Sequence, residues 1–172
     1  MNDTNKPLVG VIMGSVSDLE VMGTAAQTLE QFGVDCEVRI ISAHRTPEVM
    51  TDYAINAAGR GLKLIIAGAG GSAHLPGMTA SHTLLPVIAV PVKGQDHDHE
   101  ALWSSIKMPR GIPLAVMPEN GAFNAALLAI EILALSDPDL ALKYTEFRQG
   151  QRDEVIVKDA AVNADWRKHL KT

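Results

Sequence analysis

Short apolar runs alternate with stretches of helical periodicity along the whole chain. The runs are rich in Val and Ile and almost continuously apolar, which is typical of strands buried on both faces of a parallel sheet. The pattern therefore predicts five strands. They are PLVGVIMG (7–14), CEVRIIS (36–42), KLIIAGAGG (63–71), LPVIAVPV (85–92) and IPLAVM (112–117).

The segments between the runs carry the spacing of helices. In 18–32, apolar residues recur every third or fourth position, and Gly33 follows where a left-handed residue commonly ends a helix. Residues 47–60 repeat this pattern before Gly61. Alternating strands and helices predict an α/β fold: a three-layer αβα, flavodoxin-like arrangement around a doubly wound, five-stranded parallel sheet. Ligands of such folds bind at the carboxyl ends of the strands.

The last third of the chain differs in pattern from the rest. The segment GAFNAALLAIEILAL (121–135) is apolar almost all the way round, so it is expected to be buried centrally or against another subunit. We favour a subunit interface. Ser-Asp-Pro at 136–138 is a helix-start signal, and the helix predicted over about 136–155 is expected to pack on a neighbouring subunit.

Composition narrows the class of protein. A chain of 172 residues with 47% hydrophobic residues is expected to form a single domain, 1–172, and not a disordered segment. A net charge of −5 without a Lys/Arg cluster argues against nucleic acid as a partner. One cysteine cannot build a disulfide framework. A polar N-terminus and the lack of a long apolar segment predict a cytoplasmic protein without a membrane span.

The first strand runs into MGSVSDLE (13–20). Ser17 followed by Glu20 fits a capping box, which predicts a tight loop over 14–16 at a helix N-terminus. Backbone N–H groups and the helix dipole at such a loop favour an anion, and a monophosphate suits a loop without a P-loop lysine. The alternative is a capped helix with nothing bound.

The second strand leads into SAHRTPE (42–48). Thr-Pro-Glu at 46–48 predicts a capped helix start with proline at its first position. That leaves Ser42, His44 and Arg45 without a packing reason. A guanidinium can fork onto a phosphate, and a histidine, which ordinarily titrates at about pH 6.5, can move a proton in either direction. The alternative is a solvated histidine beside a surface arginine.

The third strand ends in AGAGGSAHLPGM (67–78). Gly68, Gly70 and Gly71 allow close approach of a ligand or movement of a loop. The run fits G-x-G-x-x-A, but it follows the third strand and no ribose-binding acid follows, which disfavours a dinucleotide. His74 is either a second polar group in the pocket or a helix-terminal histidine.

The segment GQDHDHEALW (94–103) carries two histidines among acidic residues. His97 and His99 with flanking carboxylates could hold a metal ion, but such charged clusters are usually solvated loops, and we predict no metal there. The role of the loop over 96–100 stays open.

MGSVSD, SAHRTPE, AGAGGSAHLPGM and MPRGIP together resemble the carboxyaminoimidazole ribonucleotide mutase family of purine biosynthesis, whose members are also called the catalytic subunit of phosphoribosylaminoimidazole carboxylase. The resemblance covers about residues 7–155, with the segments in the family's order. It implies an isomerase of de novo purine (IMP) biosynthesis, which moves a carboxylate from an exocyclic nitrogen to a ring carbon. The implied route is decarboxylation, trapped carbon dioxide and recarboxylation, without metal, ATP or organic cofactor.

The resemblance also implies roles for individual residues. His44 would be the one base that gives and takes a proton. Ser15 and Arg45 would bind the phosphate, and Asp18 the ribose hydroxyls. The loop 70–72 would form a flap around carbon dioxide, lined by His74. The complete substrate-binding set is expected to be Gly14, Ser15, Asp18, Ser42, Arg45, Gly70, Gly71, Ser72, His74 and Leu75.

Partners follow from the same resemblance. The family implies a ribonucleotide monophosphate as substrate and a homo-octamer, which agrees with the apolar segment at 121–135. It also suggests a functional link to the ATP-dependent synthetase that makes the carbamate substrate.

Three alternatives remain. LWSSIKMP (102–109), with Lys107 where the mutase pattern has Gln, resembles the branch that carboxylates aminoimidazole ribonucleotide directly with carbon dioxide. SAHR and GGSAHLPGM match the mutase pattern and decide for it, because they surround the reacting atoms. A flavodoxin-like module that only binds a phosphorylated ligand would not need His44. An oxidoreductase would need a nicotinamide or flavin.

Overall fold

Five strands alternate with six α-helices in the computed structural model, which describes residues 6–94 and 99–170. The strands are β1 (Val9–Met13), β2 (Cys36–Ile40), β3 (Leu64–Gly70), β4 (Val87–Val92) and β5 (Ala115–Val116). The helices are α1 (Leu19–Phe32), α2 (Pro47–Arg60), α3 (His74–His82), α4 (Glu100–Ile106), α5 (Ala122–Ala134) and α6 (Pro138–Asp165).

The five strands form one parallel sheet in the order β2-β1-β3-β4-β5. From β1 the chain winds outward to β2, then returns past β1 to β3 and continues to the opposite edge. The direction of winding therefore reverses between β1 and β3, and a crevice opens at the carboxyl ends of the strands there. This topology confirms the predicted doubly wound α/β fold.

The core lies along the three central strands. Every residue of β1 and β4 is buried, as are the first six of β3, which agrees with their continuous apolarity. The edge strand β2 differs, because Val38 and Ile40 are 43% and 53% exposed. The prediction that this strand is buried on both faces was wrong, since apolarity alone does not distinguish a central strand from an edge strand.

The two long helices that begin the fold match their predicted bounds. Gly33 ends α1 with φ 77° and Gly61 ends α2 with φ 108°, both in the left-handed region. Pro47 occupies the first position of α2, where its missing N–H costs no hydrogen bond. These ends fix the short connections that lead into β2 and β3.

The described residues divide into two compact units, one ending at Leu133 and the other beginning at Ala134. In α5 the apolar residues Ala125, Ala126 and Ile130 are fully buried. Helix α6 begins as predicted, with the Leu140 N–H donating to the Asp137 carboxylate (3.0 Å), but it extends beyond 155 to Asp165. The single domain and the packing of the terminal helix on a neighbour stay predictions. Within 6–94 and 99–170, no helix is both long and apolar enough to cross a membrane.

Helix α2 packs closely on the middle of β1. A Cβ atom on Gly10 would overlap the hydroxyl of Tyr53 and would lie 3.3 Å from Leu62 Cδ1. Tyr53 is 4% exposed and its ring cannot move aside without disturbing the core. Gly10 therefore sets the distance between α2 and the sheet.

We expect Gly10→Ala to lower the free energy of unfolding by about 1–3 kcal/mol, the usual cost of overpacking a core. Gly59→Ala is the matched control, since a Cβ there meets nothing within 4 Å inside α2. It should raise the free energy of unfolding by about 0.5–1 kcal/mol. Urea titrations measure both. Adding Tyr53→Phe to Gly10→Ala should restore part of the loss, and an unchanged loss would mean that the hydroxyl is not the obstacle.

Candidate active site

A cleft of about 400 Å³ opens where the loops after β1, β2 and β3 meet. Ten of the eleven predicted site residues line it, and Gly71 does not. Because β1 lies between β2 and β3, three chain segments far apart in sequence contribute to one surface. The lining residues are Gly14, Ser15, Ser17, Asp18, Ser42, Ala43, His44, Arg45, Ala69, Gly70, Ser72, Ala73, His74 and Leu75.

The loop after β1 is closed by a capping box on a short 3₁₀ turn (Val16–Asp18). The Ser15 hydroxyl accepts from the Ser17 N–H (3.4 Å), and the Asp18 carboxylate accepts from the Ser15 N–H (3.0 Å). Ser15 is therefore the capping residue, and the prediction of Ser17 in that position was wrong. The Ser-x-x-Asp spacing at 15–18 carries the same signal as the one that we assigned to 17–20.

The loop after β2 is a tight turn held by Ser42 and Thr46. The Thr46 hydroxyl donates to the Ser42 carbonyl (3.1 Å) and accepts from the Ser42 N–H (3.1 Å). The Thr46 N–H also donates to that carbonyl (3.0 Å). Thr46 stands at the start of α2 as predicted, but its side chain closes this turn and makes no cap bond to the helix. The turn leaves His44 and Arg45 exposed on its outer side.

Arg45 is held toward the β1 loop. Its Nη2 group donates to the Gly14 carbonyl (3.0 Å) and its Nε group to the Ser42 hydroxyl (3.4 Å). That hydroxyl also accepts from the Arg45 N–H (3.2 Å), so Ser42 has a structural role that the sequence did not reveal. A guanidinium has five N–H donors, so donors remain for an anion at this end of the cleft.

His44 is held toward the β3 loop. Its Nε2 atom and the Nδ1 atom of His74 share a hydrogen bond of 2.8 Å, and the two rings are nearly perpendicular, at 83°. One of these nitrogens carries the proton and the other accepts it, so the two facing nitrogens cannot both be protonated. The pair can therefore pass between two tautomeric arrangements without losing its hydrogen bond.

The loop after β3 contains the glycines that precede α3. Gly71 has φ 58°, in the left-handed region, and its carbonyl accepts from the Ala73 N–H (2.8 Å). The Ser72 hydroxyl donates to the Glu100 carboxylate (2.6 Å). This turn brings His74 to the first position of α3, where its ring reaches His44.

Asp18 is the buried charge of the cleft, at 6% exposure. Burial raises the pKa of its carboxyl group, because desolvation disfavours the ionised form. Hydrogen bonds from the Ser15 backbone, the Ser17 side chain and the Gly14 backbone, together with the charge of Arg45, oppose this increase without cancelling it. The fold therefore tolerates an acid at a position that destabilises its ionised form.

The histidine loop before α4 is described only in part, because His97 lies outside the described residues. The His99 Nδ1 atom lies 2.7 Å from a carboxylate oxygen of Glu119. Over 6–94 and 99–170, no group of three His, Cys, Asp or Glu side chains is placed to hold a metal ion. Sequence reasoning missed Glu100, since nothing in the pattern relates it to Ser72.

Comparisons with known proteins agree on one family. A family model described as AIR carboxylase matches residues 8–154. The phosphoribosylaminoimidazole carboxylase of Saccharomyces cerevisiae is 55% identical over 154 residues, which make up 89% of this chain but 27% of the yeast protein. The chain thus spans about a quarter of the length of that fungal relative.

A second relative has nearly the same extent as this chain. The N5-carboxyaminoimidazole ribonucleotide mutase of Thermotoga maritima is 52% identical over 153 residues, covering 88% of this chain and 90% of that protein. The crystal structure of Treponema denticola PurE superposes with a TM-score of 0.84 at 32% identity, covering 91% of this chain and 98% of that one. The fold and the family thus agree.

The raised pKa of Asp18 gives a pH-dependent prediction. The folded protein holds the carboxyl proton more tightly than the unfolded chain, so the free energy of unfolding falls as pH rises from the ordinary value of 3.8 through the raised pKa. Asp18→Asn removes this cost and keeps an oxygen that can accept from the Ser15 N–H. We expect the variant to be more stable than the wild type at pH 7 and to lose this advantage below pH 3.8.

Urea midpoints at both pH values measure the effect. Asp52→Asn, which alters an exposed carboxylate of α2, is the control and should change stability little at either pH. An Asp18→Asn variant less stable than the wild type at pH 7 would mean that the hydrogen bonds of the ionised carboxylate outweigh its desolvation.

Proposed function

The chain belongs to the AIR carboxylase family, and from this premise we propose that it is an N5-carboxyaminoimidazole ribonucleotide mutase of de novo purine biosynthesis. It would convert N5-carboxyaminoimidazole ribonucleotide to 4-carboxyaminoimidazole ribonucleotide. The relative from Thermotoga maritima, which carries this name and covers nearly the same length, supports the proposal. So do the lining residues of the cleft, which provide a cation, a buried acid and a histidine pair.

The division between His44 and Arg45 is the observation that carries the proposal. These neighbours in sequence bond in different directions: Arg45 to the Gly14 carbonyl and His44 to His74. A small ribonucleotide has an anionic phosphate at one end and a reacting ring at the other. A cleft with a fixed guanidinium on one side and a proton carrier on the other matches that distribution of charge and chemistry.

The phosphate end is formed by the first two loops. The Ser15 hydroxyl would donate to the phosphate, Gly14, which has no side chain, would leave room for its approach, and Arg45 would bind it through its remaining donors. Asp18 would accept from the ribose hydroxyls. Ser42 would act mainly by orienting Arg45, since its hydroxyl already accepts from that residue twice.

His44 would carry the proton in both directions. As imidazolium it donates a proton to the exocyclic nitrogen while the carbamate N–C bond breaks, which releases carbon dioxide and the aminoimidazole. The ring carbon then attacks carbon dioxide and forms the new C–C bond. Neutral His44 removes the proton from that carbon, which restores the aromatic ring and regenerates the imidazolium. The reaction involves no net oxidation or reduction and the substrate already carries the carboxyl group, so neither a redox cofactor nor ATP is required.

The loop after β3 would retain the carbon dioxide between the two steps. Gly70, Gly71 and Ser72 would form the flap, while His74 and the buried Leu75 would line it. His74 would also hold the imidazole of His44 in one orientation through their shared hydrogen bond. A closed wall would favour retention, because it excludes water and keeps the released carbon dioxide beside the ring carbon.

Assembly and location are parts of the same proposal. We expect a homo-octamer in the cytoplasm, functionally linked to the ATP-dependent synthetase that makes the carbamate. Large apolar side chains that are open in the single chain support further assembly: Leu84 is fully exposed, and Trp103 and Ile106 are 54% and 49% exposed. Light scattering should give eight times the chain mass of 18.4 kDa, and a monomer would contradict this part of the proposal.

Direct carboxylation of aminoimidazole ribonucleotide is the second candidate. The yeast relative is named a carboxylase. The segment LWSSIKMP, with Lys107, also resembles the family branch that carboxylates directly. Comparing initial rates from the carbamate ribonucleotide and from aminoimidazole ribonucleotide with bicarbonate, at equal concentrations, separates the two. We expect fast formation of the ring-carboxylated product from the carbamate and little from the mixture. The reverse ratio would support the direct carboxylase. If neither substrate gave product, the remaining interpretation would be a module that only binds a phosphorylated ligand.

Replacing His44 by asparagine tests the proton carrier. We expect His44→Asn to lower kcat by at least about 100-fold, the usual contribution of a positioned acid or base, while the dissociation constant for the product stays within about threefold. Calorimetry measures binding and the product assay measures kcat. His82→Asn, a histidine outside the cleft, is the matched control and should keep full activity. Full activity of His44→Asn would exclude the proposed role.

A further inference from the structure

Glu100, which does not line the cleft, is bonded to a residue that does. The Ser72 hydroxyl donates to the Glu100 carboxylate at 2.6 Å, although the two residues are 28 positions apart in sequence. This distance lies in the range of hydrogen bonds from a hydroxyl to an ionised carboxylate, which are stronger than those between neutral groups. The first turn of α4 is thus connected to the loop after β3.

The loop after β3 ends at Ala73, which is buried in the core at 2% exposure, but residues 70–72 are exposed and contain little that could fix their shape by side-chain packing. Gly70 and Gly71 have no side chains, and a Cβ atom on Gly71 would meet nothing within 4 Å. The turn is closed by one backbone bond, from the Ala73 N–H to the Gly71 carbonyl. A loop with two glycines loses much conformational entropy when it becomes ordered. A hydrogen bond to a residue outside the loop therefore has a large effect on how often the loop adopts its ordered conformation.

Helix α4 provides a firm support for such an anchor. Ala101 and Ser105 are 4% and 1% exposed, and the Ser105 hydroxyl donates to the Ala101 carbonyl (2.8 Å). The residue before Glu100 is held as well, by the pair between His99 and Glu119. The helix contacts β3, β4 and α3, so its first turn has a fixed position relative to the sheet.

We propose that Glu100 is a positioning residue for the reaction: through Ser72 it holds the loop 70–73 in the shape that closes the reacting end of the cleft. This inference rests on the proposed function. Glu100 itself does not touch the substrate, because it acts from outside the cleft. The phosphate end is built by the first two loops, so the loss of Glu100 should affect the chemical step more than binding.

The kinetic test uses Glu100→Ala and Glu100→Gln. The alanine variant loses the acceptor, and we expect kcat for the mutase reaction to fall roughly three- to tenfold, the effect of losing one hydrogen bond, with KM changed less than twofold. The glutamine variant keeps an oxygen that can accept from Ser72, so it should retain most of kcat. A three- to tenfold rise in KM with unchanged kcat in Glu100→Ala would overturn the proposal. So would a Glu100→Gln variant with a kcat as low as that of Glu100→Ala.

A double-mutant cycle with Ser72→Ala separates positioning from a general effect on α4. If Glu100 acts through Ser72, the double variant should be no slower than the slower single variant. Losses that multiply would overturn the proposal. Ser104→Ala is the matched control, because it removes a hydroxyl from the same helix that donates only along the helix, to the Ala101 carbonyl (3.2 Å). It should keep the wild-type kcat.

Hydrogen exchange of the Ala73 amide in the full chain gives a readout that does not depend on activity. That amide is bonded within the loop, so it should exchange faster in both Glu100→Ala and Ser72→Ala and at the wild-type rate in Ser104→Ala. Unchanged exchange in Glu100→Ala would overturn the proposal even if kcat fell. A wild-type protein inactive on both substrates would instead contradict the proposed function, while the exchange data would still decide whether Glu100 holds the loop.

Discussion

The parallel pairing of β2, β1 and β3 determines where the functional side chains meet. In this register Met13 pairs with Ile40 on one side and with Gly68 on the other, so three strands end at the same edge. The winding reverses at that edge, and no helix crosses the gap between the neighbouring crossovers. Loops that are tens of residues apart therefore meet in one cleft, and each supplies three to five of the side chains that line it.

Short-range bonds inside each loop then decide what the cleft can do. The turn closed by Ser42 and Thr46 places two adjacent side chains so that His44 bonds to the β3 loop and Arg45 to the β1 loop. Asp18 is retained in the buried capping box although burial disfavours its charge. Residues of functional sites often lower the stability of the folded protein, because they are selected for binding or catalysis. The cost of burying Asp18 is consistent with such a role.

The sequence predicts much of this arrangement but not its side-chain bonds. Continuous Val- and Ile-rich runs locate the strands, and the positions of SAHR after β2 and of AGAGGSAHLPGM at the end of β3 place residues that line the cleft. Burial of β2 could not be predicted, because strand order is a property of the whole sheet. The predicted capping box lay two residues beyond the observed one, because Ser15 and Ser17 are each followed by an acidic residue three positions later. The bonds from His44 to His74 and from Ser72 to Glu100 join segments that carry no common pattern.

In the proposed reaction, one cleft holds carbon dioxide between its release and its return. Converting a carbamate substrate labelled with ¹³C in its carboxyl group, in a buffer of unlabelled bicarbonate, tests it most directly. Mass spectrometry of the product formed in the first few per cent of reaction measures retention of the label. If carbon dioxide is retained in the cleft, most product molecules should carry the label. A product with the isotopic composition of the dissolved bicarbonate would contradict it.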